Sequence, residues 1–136
     1  MKQLSYKTVT LLLLVAFSTT ILAQKSTTES FINKAISNFV IAMESNNPGV
    51  VESSIFISMN MKYQYPYMNY TKLVNKLNEL AANGKTPVIR YKAQLASLYF
   101  NYFNIFEDIK FTDKENPDYY FRQISEKLEQ QSVAYK

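Results

Sequence analysis

The sequence predicts an all-α fold of about five helices, and three observations carry that prediction. Apolar residues recur at three- and four-residue spacing, the period of one helix face. Three of the four prolines follow a capping residue, in the pairs Asn47-Pro48, Thr86-Pro87 and Asn116-Pro117. A cap followed by proline at the first helical position is a start signal, because proline lacks only an N–H that the first turn leaves unused. Glycine is scarce: Gly49 and Gly84 alone offer easy positive-φ positions, too few for a hairpin-rich β protein of this length.

Taken in order, Phe31, Ala35, Ile36, Phe39, Val40 and Met43 form the apolar stripe of a helix over 28–46. A second helix runs from Pro48 to about Tyr63 and buries Val51, Ile55, Ser58, Met59 and the stem of Lys62, until Pro66 stops it. The third opens at Asn69 or Tyr70, turns Leu73, Leu77, Leu80 and Ala81 inward, and ends at Gly84, read as a left-handed C-cap. The fourth runs from Pro87 to about Phe106. Its apolar residues, from Val88 and Ile89 to Ile105 and Phe106, cover nearly the whole circumference, which places it at the centre of the fold. The run Tyr99 to Phe106 is read as core, and the last helix is the element expected to cover it. That fifth helix begins at Pro117 and carries Tyr120, Phe121, Ile124 and Leu128.

The N-terminus has the three parts of a secretory leader. Lys2 and Lys7 precede an apolar stretch, Val9 to Leu22, and Ile21-Leu22-Ala23 ends in a small residue before Gln24. The stretch is about 14 residues, short of the roughly 20 that a membrane span needs. The organisation expected is therefore a signal peptide over 1–23 and one all-α domain over 24–136, periplasmic or secreted, with no stable membrane anchor once the leader is cut. Without Cys, that domain must stand without disulfides in an oxidising compartment. The chain's net charge of +4 falls to +2 when Lys2 and Lys7 leave, which gives no electrostatic footprint for nucleic acid.

The second and fourth helices also look alike. Pro48 and Pro87 lie 39 apart, Val51-Glu52 and Ile89-Arg90 lie 38 apart, and the preceding helices are offset by about 42. A two-helix unit recurring every 40 or so residues is the period of HEAT and armadillo arrays. The segment Ile89-Arg90-Tyr91-Lys92-Ala93 resembles the second-helix pattern of HEAT repeats, and Asn47-Pro48-Gly49-Val50-Val51-Glu52 resembles the same turn, with Glu where the family usually has Arg. The likeness covers roughly residues 28–106. It implies two HEAT-like helix pairs plus a C-terminal capping helix, binding by shape and presenting no catalytic residues. It also implies an inter-repeat ion pair between Glu52 and Arg90, at matched positions of parallel helices. A plain helical bundle is the alternative.

Chemistry is bounded by what is missing. With no His and no Cys, imidazole bases, thiolate nucleophiles and nearly all zinc sites fall away, and the two glycines are too far apart for a phosphate loop. No enzyme, cofactor or metal is expected, and the acidic residues Glu107, Asp108, Asp113, Glu115 and Asp118 match no calcium loop. The candidate binding surface is Tyr63, Tyr65, Tyr67 and Tyr70, four stiff amphipathic groups around a turn. The function expected is a non-enzymatic module that binds another protein. The alternative is a small carrier holding an apolar or aromatic ligand between the fourth and fifth helices. The export reading predicts a mature chain beginning at Gln24, and N-terminal sequencing of the exported product that returned Met1 would refute it.

Overall fold

The structure is a computed structural model and describes residues 27–111 and 116–134. The expected leader and cleavage site lie outside the described residues. Helix α1 covers 27–42, and α2 to α6 follow as Pro48–Gln64, Thr71–Asn83, Pro87–Asn101, Phe103–Phe106 and Pro117–Ala134. No strand occurs among the described residues, so the all-α prediction holds. None of the described helices is long and apolar enough to cross a membrane. The contacts divide the chain between Lys34 and Ala35, inside α1. On the first side, Ile32 is buried and Phe31 is exposed.

The cap-proline pairs start helices where expected. Asn47 accepts from the Gly49 N–H at 2.9 Å, Thr86 from Ile89 at 3.1 Å, and Asn116 from Tyr119 at 3.3 Å. Each satisfies an N–H that the first turn leaves without a partner. The buried faces then follow from spacing. Val51, Ile55 and Met59 on α2, Leu73 and Leu77 on α3, and Ile89, Ala93 and Ala96 on α4 are shielded from solvent. Each of the large aliphatic side chains among them contributes about 1.5–3 kcal/mol by burial. On α6, Tyr120, Phe121 and Ile124 are buried as predicted, while Leu128 is only half-buried.

The directions of the helices can be read from side-chain contacts. α3 and α4 form an antiparallel hairpin, with the Ser97 hydroxyl on Asn78 at 2.5 Å and the Tyr70 and Phe100 rings 5.2 Å apart. α2 and α4 are parallel: near their starts Lys92 meets Glu52, and near their ends Lys62 lies over the Phe103 ring. The sequence offsets of those two pairs are 40 and 41, close to the repeat period. α6 starts beside them, since Asp118 also reaches Lys92, and runs the same way toward Asp108, which pairs with Lys127.

Two expectations about α4 need correction. It ends at Asn101, because Tyr102 turns to φ −122°, ψ 41°, and the separate short helix α5 takes over at Phe103. Nor is it buried all round. Val88, Tyr91 and Tyr102 are about half-exposed, while Ile89, Ala93, Leu95, Ala96, Tyr99 and Phe100 face inward. The centre of the aromatic core is Tyr99, whose ring meets Phe103, Phe106 and Phe111 at 5.4–5.9 Å. Phe111 in turn stacks on Tyr120 at 4.7 Å and leans on Phe56 and Tyr63. The Tyr99 hydroxyl meets no hydrogen-bond partner among the described residues, and burial pushes its pKa up.

Gly84 sits at the end of α3 as predicted, but not in a left-handed conformation. Its φ is −57° and ψ 143°. The requirement is one of space: a Cβ there would lie 2.6 Å from the Leu80 carbonyl oxygen and 2.8 Å from Ile89 Cγ2. The absence of a side chain lets α4 start directly against the end of α3. Gly84→Ala is therefore expected to destabilise the protein by about 1–3 kcal/mol through overpacking. Urea denaturation would measure it, and an unchanged midpoint would remove the steric explanation.

Candidate functional site

The tyrosine turn divides when its side chains are followed individually. Tyr70 points inward, donating its hydroxyl to the Tyr65 carbonyl at 2.8 Å and to the Met61 carbonyl at 3.3 Å. Burial, aided by Tyr65, pushes its pKa up to about 12. Tyr63 leans on Phe111. These two hold the end of α2 against the core. Tyr65 and Tyr67 are the outward pair: Tyr65 is partly open and Tyr67 is 99% exposed. A large aromatic with that exposure, on a turn anchored by Tyr70, presents apolar area without having to order a loop. Of the four predicted surface residues, then, two are free to meet a partner and two support them.

The predicted pair of Glu52 with Arg90 is not formed. Glu52 pairs with Lys92 at 2.7 Å, and Arg90 donates to the Gly84 carbonyl at 2.7 Å, closing the end of α3. The reason is register. Aligning Val51-Glu52 with Ile89-Arg90 sets the offset at 38, but packing sets it at 40, and two residues turn a helical side chain by about 200°. Lys92 does more than replace Arg90. It also reaches Asp118 on α6 at 2.7 Å and lies over the Phe121 ring at 5.4 Å. One ammonium thus joins three helices near their N-terminal ends. Burial opposes its charge, yet the hydrogen bonds to Asp118 and Glu52 outweigh that and hold its pKa above the usual 10.5.

The acidic residues around the last turn form no metal cluster among the described residues. Asp108 is paired with Lys127, whose hydrogen bond holds the carboxyl below its usual range, and Asp118 is taken by Lys92. Asp113 and Glu115 lie outside the described residues. Between α4 and α6, where a carrier would hold its ligand, lies an open cleft of about 430 Å³. Tyr91 and Phe121 are its aromatic residues, and Lys92, Asp118, Arg122 and Glu126 charge its rim. A smaller cleft of about 240 Å³ lies against α3 at Met43, Lys76 and Leu80. A third, of about 380 Å³, adjoins the tyrosine turn and is lined by Lys62, Tyr70, Asn75 and Phe100.

Comparison with known proteins finds no matching family model, no matching curated protein and no matching solved structure.

The lysine bridge makes a quantitative prediction. A double-mutant cycle should give coupling of about 0.5–1.5 kcal/mol between Glu52 and Lys92, and none beyond about 0.3–0.5 kcal/mol between Glu52 and Arg90. Because the folded-state pKa of Lys92 is raised, its contribution is full below the unfolded value. It is lost as pH rises past about 10.5 and through the folded value. Lys92→Met should flatten that alkaline loss of stability.

Proposed function

We propose that this chain is an exported, non-enzymatic interaction module, built of HEAT-like helix pairs with α6 as the capping helix. It binds another protein through Tyr65 and Tyr67. The observation that carries the reading is the full exposure of Tyr67 on a turn whose other side is pinned by Tyr70. Large apolar side chains left in water by a well-packed scaffold are favoured anchors for a partner. The repeat reading draws support from the parallel direction of α2 and α4, their offset of 40, and the Lys92 bridge in the place of the family's polar ladder. Binding rather than turnover is favoured by the absence of His and Cys from the chain. The α4–α6 cleft, rimmed by charge, lends the carrier of an apolar ligand little support.

A photo-crosslinker placed at position 67 should capture a defined protein from the exported fraction, while one at Arg122 should not. Tyr65→Ala with Tyr67→Ala should weaken binding of that protein by at least about 2 kcal/mol. The same change should leave folding stability within about 0.5 kcal/mol. Equal capture from both positions, or undiminished binding by the double variant, would count against the proposal.

A further inference from the structure

Lys62 is placed unlike a solvated surface lysine. Its ammonium donates to the Pro66 carbonyl at 2.6 Å, its single hydrogen bond among the described residues, which leaves two donors without a protein acceptor. The rings of Tyr70 and Phe103 lie 5.0 and 5.2 Å away. It lines the 380 Å³ cleft, and none of the residues lining that cleft is acidic. Among the described residues lining the cleft, the charge is thus +1. Burial already disfavours that charge and lowers the pKa from its usual 10.5.

The remaining wall divides by chemistry. Asn69, Asn75 and Asn101 offer side-chain amides, while Val74, Met68 and Phe100 are apolar or soft. The Asn69 carbonyl oxygen is occupied by the Thr71 N–H at 3.0 Å, so its amide N–H₂ is the part left to donate. Asn101 gives one N–H to Ser97 at 3.3 Å. The volume is within the range of small-ligand sites. A single ammonium without an arginine fork suits one negative charge better than the multiple charges of a phosphate. Met68, Val74 and Phe100 in the lining suit an anion that carries an organic group.

We infer that this cleft binds a carboxylate joined to an apolar or aromatic group, with Lys62 pairing the carboxylate, the asparagine amides hydrogen-bonding it, and Phe100, Val74 and Met68 holding the apolar part. The carboxylate can belong to a free small acid or to the C-terminus of a peptide. This site stands on Lys62 and does not depend on Tyr65 or Tyr67 binding a partner.

The test uses the whole chain and two matched probes, phenylacetate and its neutral isostere phenylacetamide, followed by heteronuclear NMR. Phenylacetate should shift the amides of Tyr70, Val74, Asn75 and Phe100 saturably, and phenylacetamide should bind at least about tenfold more weakly. Lys62→Met should lose the preference and Lys62→Arg should keep most of it, while Tyr67→Ala should leave both affinities alone. If Lys62→Met fails to fold, the pH dependence on the unaltered chain decides. Affinity for phenylacetate should fall as pH rises through the lowered pKa of Lys62, and that for phenylacetamide should not. N-acetylphenylalanylphenylalanine and its C-terminal amide supply the peptide arm. A peptide acid tighter than phenylacetate identifies a chain terminus as the source, and the reverse identifies a free acid. Equal binding of acid and amide, or no saturable shift with any probe, would overturn the inference.

Discussion

The ammonium of Lys92 is the point on which the arrangement of α2, α4 and α6 depends. These helices belong to distant parts of the chain, and apolar packing alone leaves their rotation and sliding loosely defined. Glu52 and Asp118 both pair with one donor group, and the Phe121 ring lies beneath it. That geometry is satisfied at one register only. Its energetic contribution is modest, as partly exposed ion pairs are, so its main effect is on specificity. Once α4 is fixed between its neighbours, the outward position of Tyr91 and the inward position of Tyr99 follow.

The aromatic core carries the complementary role. Tyr99, Phe106, Phe111 and Tyr120 come from the end of α4, from α5, from the segment after it and from α6, and their rings contact one another. Large flat side chains fill space between helices that are short of aliphatic bulk, and they replace the covalent cross-links that a chain without cysteine cannot form. The Tyr99 hydroxyl, which meets no partner among the described residues, is enclosed within that packing.

Much of this was legible in the amino-acid sequence, for identifiable reasons. Capping is local chemistry, so Asn47, Thr86 and Asn116 announced their helices without reference to anything distant. The stripe on α3 was equally plain, because Leu73 and Leu77 have one face to bury. What spacing does not encode is register between helices, and that is why Arg90 was expected where Lys92 lies. The turn at Tyr102 carries no glycine or proline, so no local signal marks it. The tyrosine segment was recognisable as a surface, but the inward turn of Tyr70 depends on carbonyls of α2 that only the folded chain presents. Lys62 gave no signal at all beyond its stem, since the make-up of the cleft it lines is a property of three dimensions.

The direct abutment of α3 on α4 at Gly84 bears on the order in which the chain assembles. Closing a loop is easiest when few residues separate the surfaces that meet, and here the two helices are joined by a turn of three residues. The hairpin can therefore gain Leu77, Ile89 and Ala93 as a local cluster before any distant segment arrives. Docking of α2 and α6 requires far longer closures and gains the Lys92 bridge only when both are present. The central hairpin is in this sense a template. Its surface is complete early, and the outer helices are sorted against it by charge and by aromatic fit.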